Sequence, residues 1–164
     1  MRITKQNSVY FDLNTSFDDR FNITQIGAVH APLRKSKSFN EKTNSKNIKK
    51  RLKKFVTWLK KVNHGKPVVL IGHNAFGFDA KVLETVAEYH KVKIPPRLIA
   101  GYEDSLQAFK SHYNYKKNDL TSLAKQFGLT RPTHDALQDS KLLKKLVNKA
   151  LEDTGMNINQ FFTE

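Results

Sequence analysis

Residues 66–90 read KPVVLIGHNAFGFDAKVLETVAEYH, and this stretch decides the fold. Pro67 to Ile71 is an unbroken apolar run short enough to be a strand buried on both faces, as in a sheet covered by helices. The loop Gly72 to Phe78 follows, after which Leu83, Val86, Ala87 and His90 mark a helix. A central strand feeding a helix belongs to a layered α/β domain.

Working outward, Gly65 closes a preceding helix that begins near Asn47. Its stripe of Ile48, Leu52, Phe55, Val56, Leu59 and Val62 turns inward, leaving Lys49, Lys50, Lys53, Lys54, Lys60 and Lys61 mainly outward. Ahead of it, residues 34–46 are polar and read as a flexible basic loop, with room for a short third strand before it. Ser8–Leu13 and Asn22–Val29 read as neighbouring antiparallel strands. Downstream, Pro95 and Pro96 break the chain before a last strand at Arg97–Tyr102. Helices are expected around Ser105–Ser111 and Leu120–Phe127. Thr133 is placed to cap a final helix whose stripe of Ala136, Leu143, Leu146, Val147 and Ala150 runs to about Leu151. There is no internal repeat. No Gly-rich loop follows the first strand, which excludes a doubly wound nucleotide fold.

The 164 residues suit one domain, residues 1–164. The absence of cysteine removes disulfides, thiolate metal sites and a Cys nucleophile, so any metal must be held by oxygen or imidazole. No apolar run is long enough to span a membrane and Met1–Tyr10 lacks the core of a signal peptide, so the expectation is an intracellular protein, nuclear or cytoplasmic, with no membrane partner. The net charge of +14 is uneven. Residues 34–66 hold thirteen Lys or Arg and a single acid, Glu41, for a net +12, while the rest of the chain is near +2. Such a patch attracts a polyanion by counterion release, nucleic acid first and an anionic membrane second; a solvated lysine face is the plain alternative.

Three carboxylates stand where apolar residues belong. Asp139 interrupts the stripe of the final helix, Asp12 lies near the end of the apolar first strand, and Asp79 shares a face with Leu83 and Val86. Each has a structural reading: Asp12 as a turn cap, Asp79 as a helix N-cap, Asp139 in an internal ion pair. Together, buried acids without cations resist ionisation unless a divalent ion neutralises them, and oxygen ligands favour Mg²⁺ or Mn²⁺. His134, five residues before Asp139, has the chemistry of a general base on water. His73, after the central strand, either contacts substrate or holds its loop.

The segments FDLNTS at Phe11–Ser16, GHNAFGFD at Gly72–Asp79 and HDALQD at His134–Asp139 resemble the three motifs of the DEDDh 3′-to-5′ exonucleases, in order and in separation. More narrowly, GYEDSLQAFK at Gly101–Lys110 is similar to the exonuclease-like domain encoded by the ninth exon of PML. The resemblance implies a ribonuclease-H-like α/β fold around a mixed five-stranded sheet, two divalent cations, and nucleic acid, single-stranded 3′ ends, as partner. It implies that Asp12 bridges the ions, Asp139 binds the ion that activates water, Asp79 supports the other and His134 is the general base. Asn74 and Phe78 match positions near the substrate terminus, and Lys49, Lys50, Lys53 and Lys54 would hold the strand. Asp104 matches an acid that is usually structural. One position departs from the pattern: Asn14 stands where the family has glutamate, which leaves a neutral oxygen for a cation and one negative charge fewer. Two alternatives follow. A catalytically degenerate module would bind nucleic acid or a protein without turnover. Asp119–Pro132 has helix-turn-helix spacing, but HDALQDS would bring carboxylates and no Arg to a DNA groove.

Overall fold

A computed structural model describes residues 1–34 and 36–164. A mixed five-stranded sheet in the order β3-β2-β1-β4-β5 is flanked by six helices, the architecture that the resemblance implies. The strands β1 (Ser8–Ser16) and β2 (Asp19–His30) form a hairpin whose turn is too short for any but antiparallel pairing. The pairs β1/β4 and β4/β5 are parallel, with β4 at Val68–Gly72 and β5 at Ile99–Asp104; helices α1 (Ile48–Val62) and α2 (Asp79–Tyr89) lie in the connections.

Alternation along the strands sorts the core into two layers. Val9, Phe11 and Leu13 of β1, with Val68 and Leu70 of β4, pack against α1 and α2. Tyr10 and the alternate β4 residues Val69 and Ile71 pack on the other face, against α3 (Ser105–His112), α4 (Leu120–Gln126), α5 (Ala136–Thr154) and α6 (Ile158–Thr163). Being covered on both sides is why Pro67–Ile71 has no polar position. The same alternation turns Asp12 and Asn14 of β1, and Gln25 and Gly27 of β2, toward α5.

Several boundaries differ from expectation. The basic loop of residues 34–46 contains β3 (Ser38–Lys42), an edge strand paired with β2. Its polar residues face water, and its one buried apolar side chain, Phe39, packs at a tilt against Phe55 and Trp58 of α1 at ring distances of 5.1 and 5.9 Å. Lys35, within that stretch, lies outside the described residues. The last strand starts at Ile99 and not Arg97, because the Leu98 amide turns back to Pro95 O at 3.0 Å. Asp135, not Thr133, caps α5, its carboxylate accepting from the Gln138 amide at 2.9 Å. Helix α6 was not expected. Gly155 ends α5 in the left-handed region, and Asn157 and Gln160 then form a capping box over a helix too short for a readable period.

Lys144 of α5 is buried, and its ammonium donates to the carbonyls of His30 at 2.9 Å and Pro32 at 2.7 Å and to the Ser36 hydroxyl. It clips the end of β2 to α5. Lys144→Met keeps the packing but removes the charged donor and leaves the Ser36 hydroxyl, 3.1 Å from each, to serve both carbonyls, so thermal denaturation should show a loss of about 1–3 kcal/mol. An unchanged melting curve would show that the clip is dispensable.

Candidate active site

The C-terminal half of β1, the first turn of α2 and the first turns of α5 converge at one end of the sheet. Asp79 is 3% exposed and Asp139 is 7% exposed; Asp12 is partly covered. Gly72 allows Asp79 to tuck in, since a Cβ there would lie 3.2 Å from Asp79 Oδ2 and 3.1 Å from the Phe11 ring. Burial, then the charges of Asp139 and Asp135, push the Asp12 carboxyl up to about 7, against the opposing effect of the Leu13 amide. Burial and then the charge of Asp12 hold Asp79 well above the usual carboxylate range, with the Leu13 amide opposing and Asp104 adding. The repulsions thus run from Asp139 to Asp12 and from Asp12 to Asp79, with Asp12 common to both.

Among the described residues none of these acids has a cationic partner; the ion pairs are Arg51 and Lys54 with Glu41, in the opposite layer. Nor do three Asp, Glu or His side chains close into a complete metal-ligand group among the described residues. What the donor set offers is hard carboxylate oxygens without a cationic partner, near enough for the charges of Asp139 and Asp12 to raise their neighbours, and that fits divalent cations of the magnesium type. Asp139 is further positioned by the Thr133 amide, which donates to its Oδ1 at 3.0 Å.

Asn14 has a role that its type alone does not reveal. Its amide nitrogen donates to the His134 carbonyl at 2.5 Å and to Gln25 Oε1 at 3.0 Å. Gln25 Oε1 also accepts from the Ala136 amide at 3.0 Å, while Gln25 Nε2 donates to Asn40 at 2.8 Å and Asp135 at 2.9 Å. A backbone carbonyl only accepts and a backbone N–H only donates, so both side-chain amides are oriented without ambiguity. This network fastens β1, β2 and β3 to the loop carrying His134, whose backbone is left-handed at φ 61° and whose side chain is exposed. Sequence reasoning missed Gln25. Its signal was a polar residue, 5% exposed, inside the apolar run of β2.

The loop 73–78 is held from β5. Asp104 accepts from the amides of Asn74 at 2.8 Å, Phe76 at 3.1 Å and Leu106 at 2.9 Å, which caps α3 and fixes the loop with one carboxylate. His73 holds its loop: one ring nitrogen meets Ser105 Oγ at 2.8 Å and the other Asn118 O at 2.7 Å. Asn74 is exposed at φ 66°, whereas Phe78 is half-buried against the core under α1 and α2. Asp104→Ala leaves three amides without their acceptor and should cost about 2–4 kcal/mol, with Asn74 and Asp79 released from their places. Denaturant titration together with amide exchange over residues 73–79 checks this; undiminished protection there would refute it.

Lys49, Lys50, Lys53 and Lys54 are exposed on α1, in the layer opposite α5, and are not brought to the acids.

No family model matches the sequence, and no curated protein matches it. Solved structures do. The chain superposes on the nuclease domain of 3'hExo, a DEDDh family member bound to rAMP, with a TM-score of 0.68 and 14% identity, over 89% of this chain and 92% of that one. A 3'-exonuclease described in 3'-end specific recognition of a histone mRNA stem-loop gives 0.67 at 14% identity, over 92% and 84%. E. coli Exonuclease I in complex with a dA16 oligonucleotide gives 0.65 at 13%, with 94% of this chain covering 42% of that one. The fold is that of DEDDh exonuclease domains.

Proposed function

We propose that the chain is a metal-dependent 3′-to-5′ exonuclease that hydrolyses phosphodiester bonds of DNA or RNA, acting as a single domain of the kind encoded by the ninth exon of PML. The observation that carries this reading is the set of uncompensated acids, Asp12, Asp79 and Asp139, brought from three distant segments to one end of the sheet with Asp12 shared between the other two. Nucleotide and oligonucleotide ligands in the structural neighbours, rAMP and dA16, agree with the substrate class.

In this reading Asp12, Asp139 and Asp79 hold two Mg²⁺ or Mn²⁺, with the Asn14 side-chain oxygen as a neutral further ligand. When bound, such a pair neutralises the acids and stabilises both the attacking and the leaving oxygen of the displacement. His134 takes the proton of the attacking water on its imidazole; its exposure leaves it free to do so, and the Asn14 bond to its own carbonyl sets where it stands. Asn74 and Phe78 orient the terminal nucleotide of a single-stranded 3′ end. The lysine face of α1, with Lys49, Lys50, Lys53 and Lys54, attracts the polyanion at longer range.

A second reading rests on one observation. Because the Asn14 amide is committed to the His134 carbonyl, the position is built around a donor that glutamate lacks, as a degenerate module binding nucleic acid or protein would allow. A 5′-labelled single-stranded oligonucleotide in Mg²⁺ and then Mn²⁺, beside Asp139→Ala, separates the two. The expected result is a ladder shortening from the 3′ end in wild type, slower by on the order of 10³-fold or more in the variant. Folded protein that binds the oligonucleotide and gives no ladder in either metal supports the degenerate module.

A further inference from the structure

We propose that a groove running from Asp139 along α5 is a phosphate track for the strand behind its 3′ end. The inference rests on the exonuclease reading for its occupant. Residues 128–133 and the first turns of α5 enclose an open cleft of about 330 Å³, and Asp139 is part of its wall. Its charged lining is otherwise cationic: Arg131 from the loop, and Lys141 and Lys145 from α5. All three are exposed, and among the described residues none is paired with an acid. Thr130, Thr133 and Gln138 add neutral hydrogen-bonding groups.

The placement is not that of an ordinary solvated helix face. Lys141 and Lys145 are one turn apart, so they stand over one another and repel, with no acid in the lining at their end of the cleft. An anion relieves that repulsion. A rise of 1.5 Å per residue puts Lys145 roughly 9 Å along the axis from Asp139 and Lys141 between them. A strand with its terminal phosphodiester at the acids would therefore meet cations in succession as it leaves. The acids themselves repel phosphate unless neutralised, so the cationic groove supplies binding that the acid cluster lacks. The sequence hides this site, because the +12 of residues 34–66 dominates any charge count while the groove's cations are spread over fifteen residues near the other end.

The test is the salt dependence of binding. A fluorescein-labelled oligothymidylate is titrated in EDTA, so that nothing is cleaved, with wild type and with Arg131→Ala/Lys141→Ala/Lys145→Ala. For a single strand log K falls with log salt by roughly 0.7 per phosphate contact, so the triple variant should lose about 2 from the slope and bind about 10- to 100-fold more weakly. The side chains are exposed, so a wild-type melting curve is the folding control. Wild-type slope and affinity in the triple variant would overturn the groove, as would failure of wild type to bind. The exonuclease reading fails separately, by the absence of a ladder from protein that binds. Where wild type turns over, a p-nitrophenyl ester of thymidine 5′-phosphate, which has no following phosphates, should be cleaved equally by both proteins while oligonucleotide KM rises in the variant; an equal KM counts against the groove.

Discussion

Gly27→Ala, the addition of a single methyl group, is expected to unseat the whole candidate site. A Cβ at Gly27 would fall 2.3 Å from the Ala136 carbonyl carbon, 2.3 Å from the Leu137 nitrogen and 2.6 Å from the Ala136 oxygen. All three are backbone atoms of the first turn of α5, so no side chain can swing away to make room. Gly27 is also the residue paired with Asp12 across the β1/β2 ladder, and its carbonyl accepts from the Ser140 hydroxyl at 3.2 Å. α5 therefore comes close against the sheet beside Asp12, and this contact helps to seat Asp139 near Asp12 and the His134 loop against Asn14. Lifting α5 costs about 1–3 kcal/mol by overpacking, which for a chain of this size lowers Tm by roughly 3–10 °C. The cost in rate is larger, since a displacement near 1 Å between groups that act together is worth on the order of 10²-fold. Thermal melts and the oligonucleotide ladder should both register it, and wild-type values in both would mean that α5 does not need this contact.

That contact marks the boundary of what was legible in the sequence. Asp12, Asp79 and Asp139 stood out because each broke an apolar pattern, and patterns of period two and 3.6 are visible one segment at a time. That the sheet is covered on both faces followed from the unbroken apolar run Pro67–Ile71. What the patterns could not carry was how segments meet. Gly27 is one small residue in ITQIGAV, and nothing local says that a helix begun more than a hundred residues later rests on it. Gln25 likewise has its partners in Asn14, Asn40, Asp135 and Ala136, four residues at three places along the chain. β3 was read as loop because an edge strand owes its hydrogen bonds to a neighbour and not to its own composition. The lysine-rich helix was correctly placed in the chain, but the charge count did not say which face of the sheet it covers. It covers the face away from Asp139, while Arg131, Lys141 and Lys145 stand beside it.

Asn14→Glu and Asp12→Asn probe the acids from opposite sides, and the second carries the larger effect. Asp12 faces Asp139 and Asp135 at the start of α5 and Asp79 of α2, and none of these has a cationic partner among the described residues. Its carboxyl is pushed up to about 7 in the folded protein, against roughly 3.9 in the unfolded chain. Below pH 4 both states are protonated and the site costs nothing. Between pH 4 and 7 the unfolded chain gives up its proton first, so metal-free stability falls as pH rises, and the loss levels off once pH exceeds the folded value. Three units correspond to about 4 kcal/mol as an upper bound, reduced because water reaches part of the carboxylate. Asp79, also raised, shifts stability in the same direction. Asp12→Asn keeps the shape, removes the charge and relieves Asp79, so in EDTA at pH 8 the variant should melt several degrees above wild type, with the difference closing toward pH 5. Its hydrolysis in Mg²⁺ should nevertheless fall by on the order of 10³-fold or more. Saturating Mg²⁺ should raise the melting point of wild type far more than that of the variant, because a ligand stabilises only in proportion to its preference for the folded state. Asn14→Glu makes the contrast sharp: it sets a carboxylate against the His134 carbonyl and Gln25 Oε1, so a glutamate at this position should lower both stability in EDTA and turnover. If Asp12→Asn instead melted below wild type at pH 8, the acids would not be held together at a cost, and the case for ions between them would lose its physical basis.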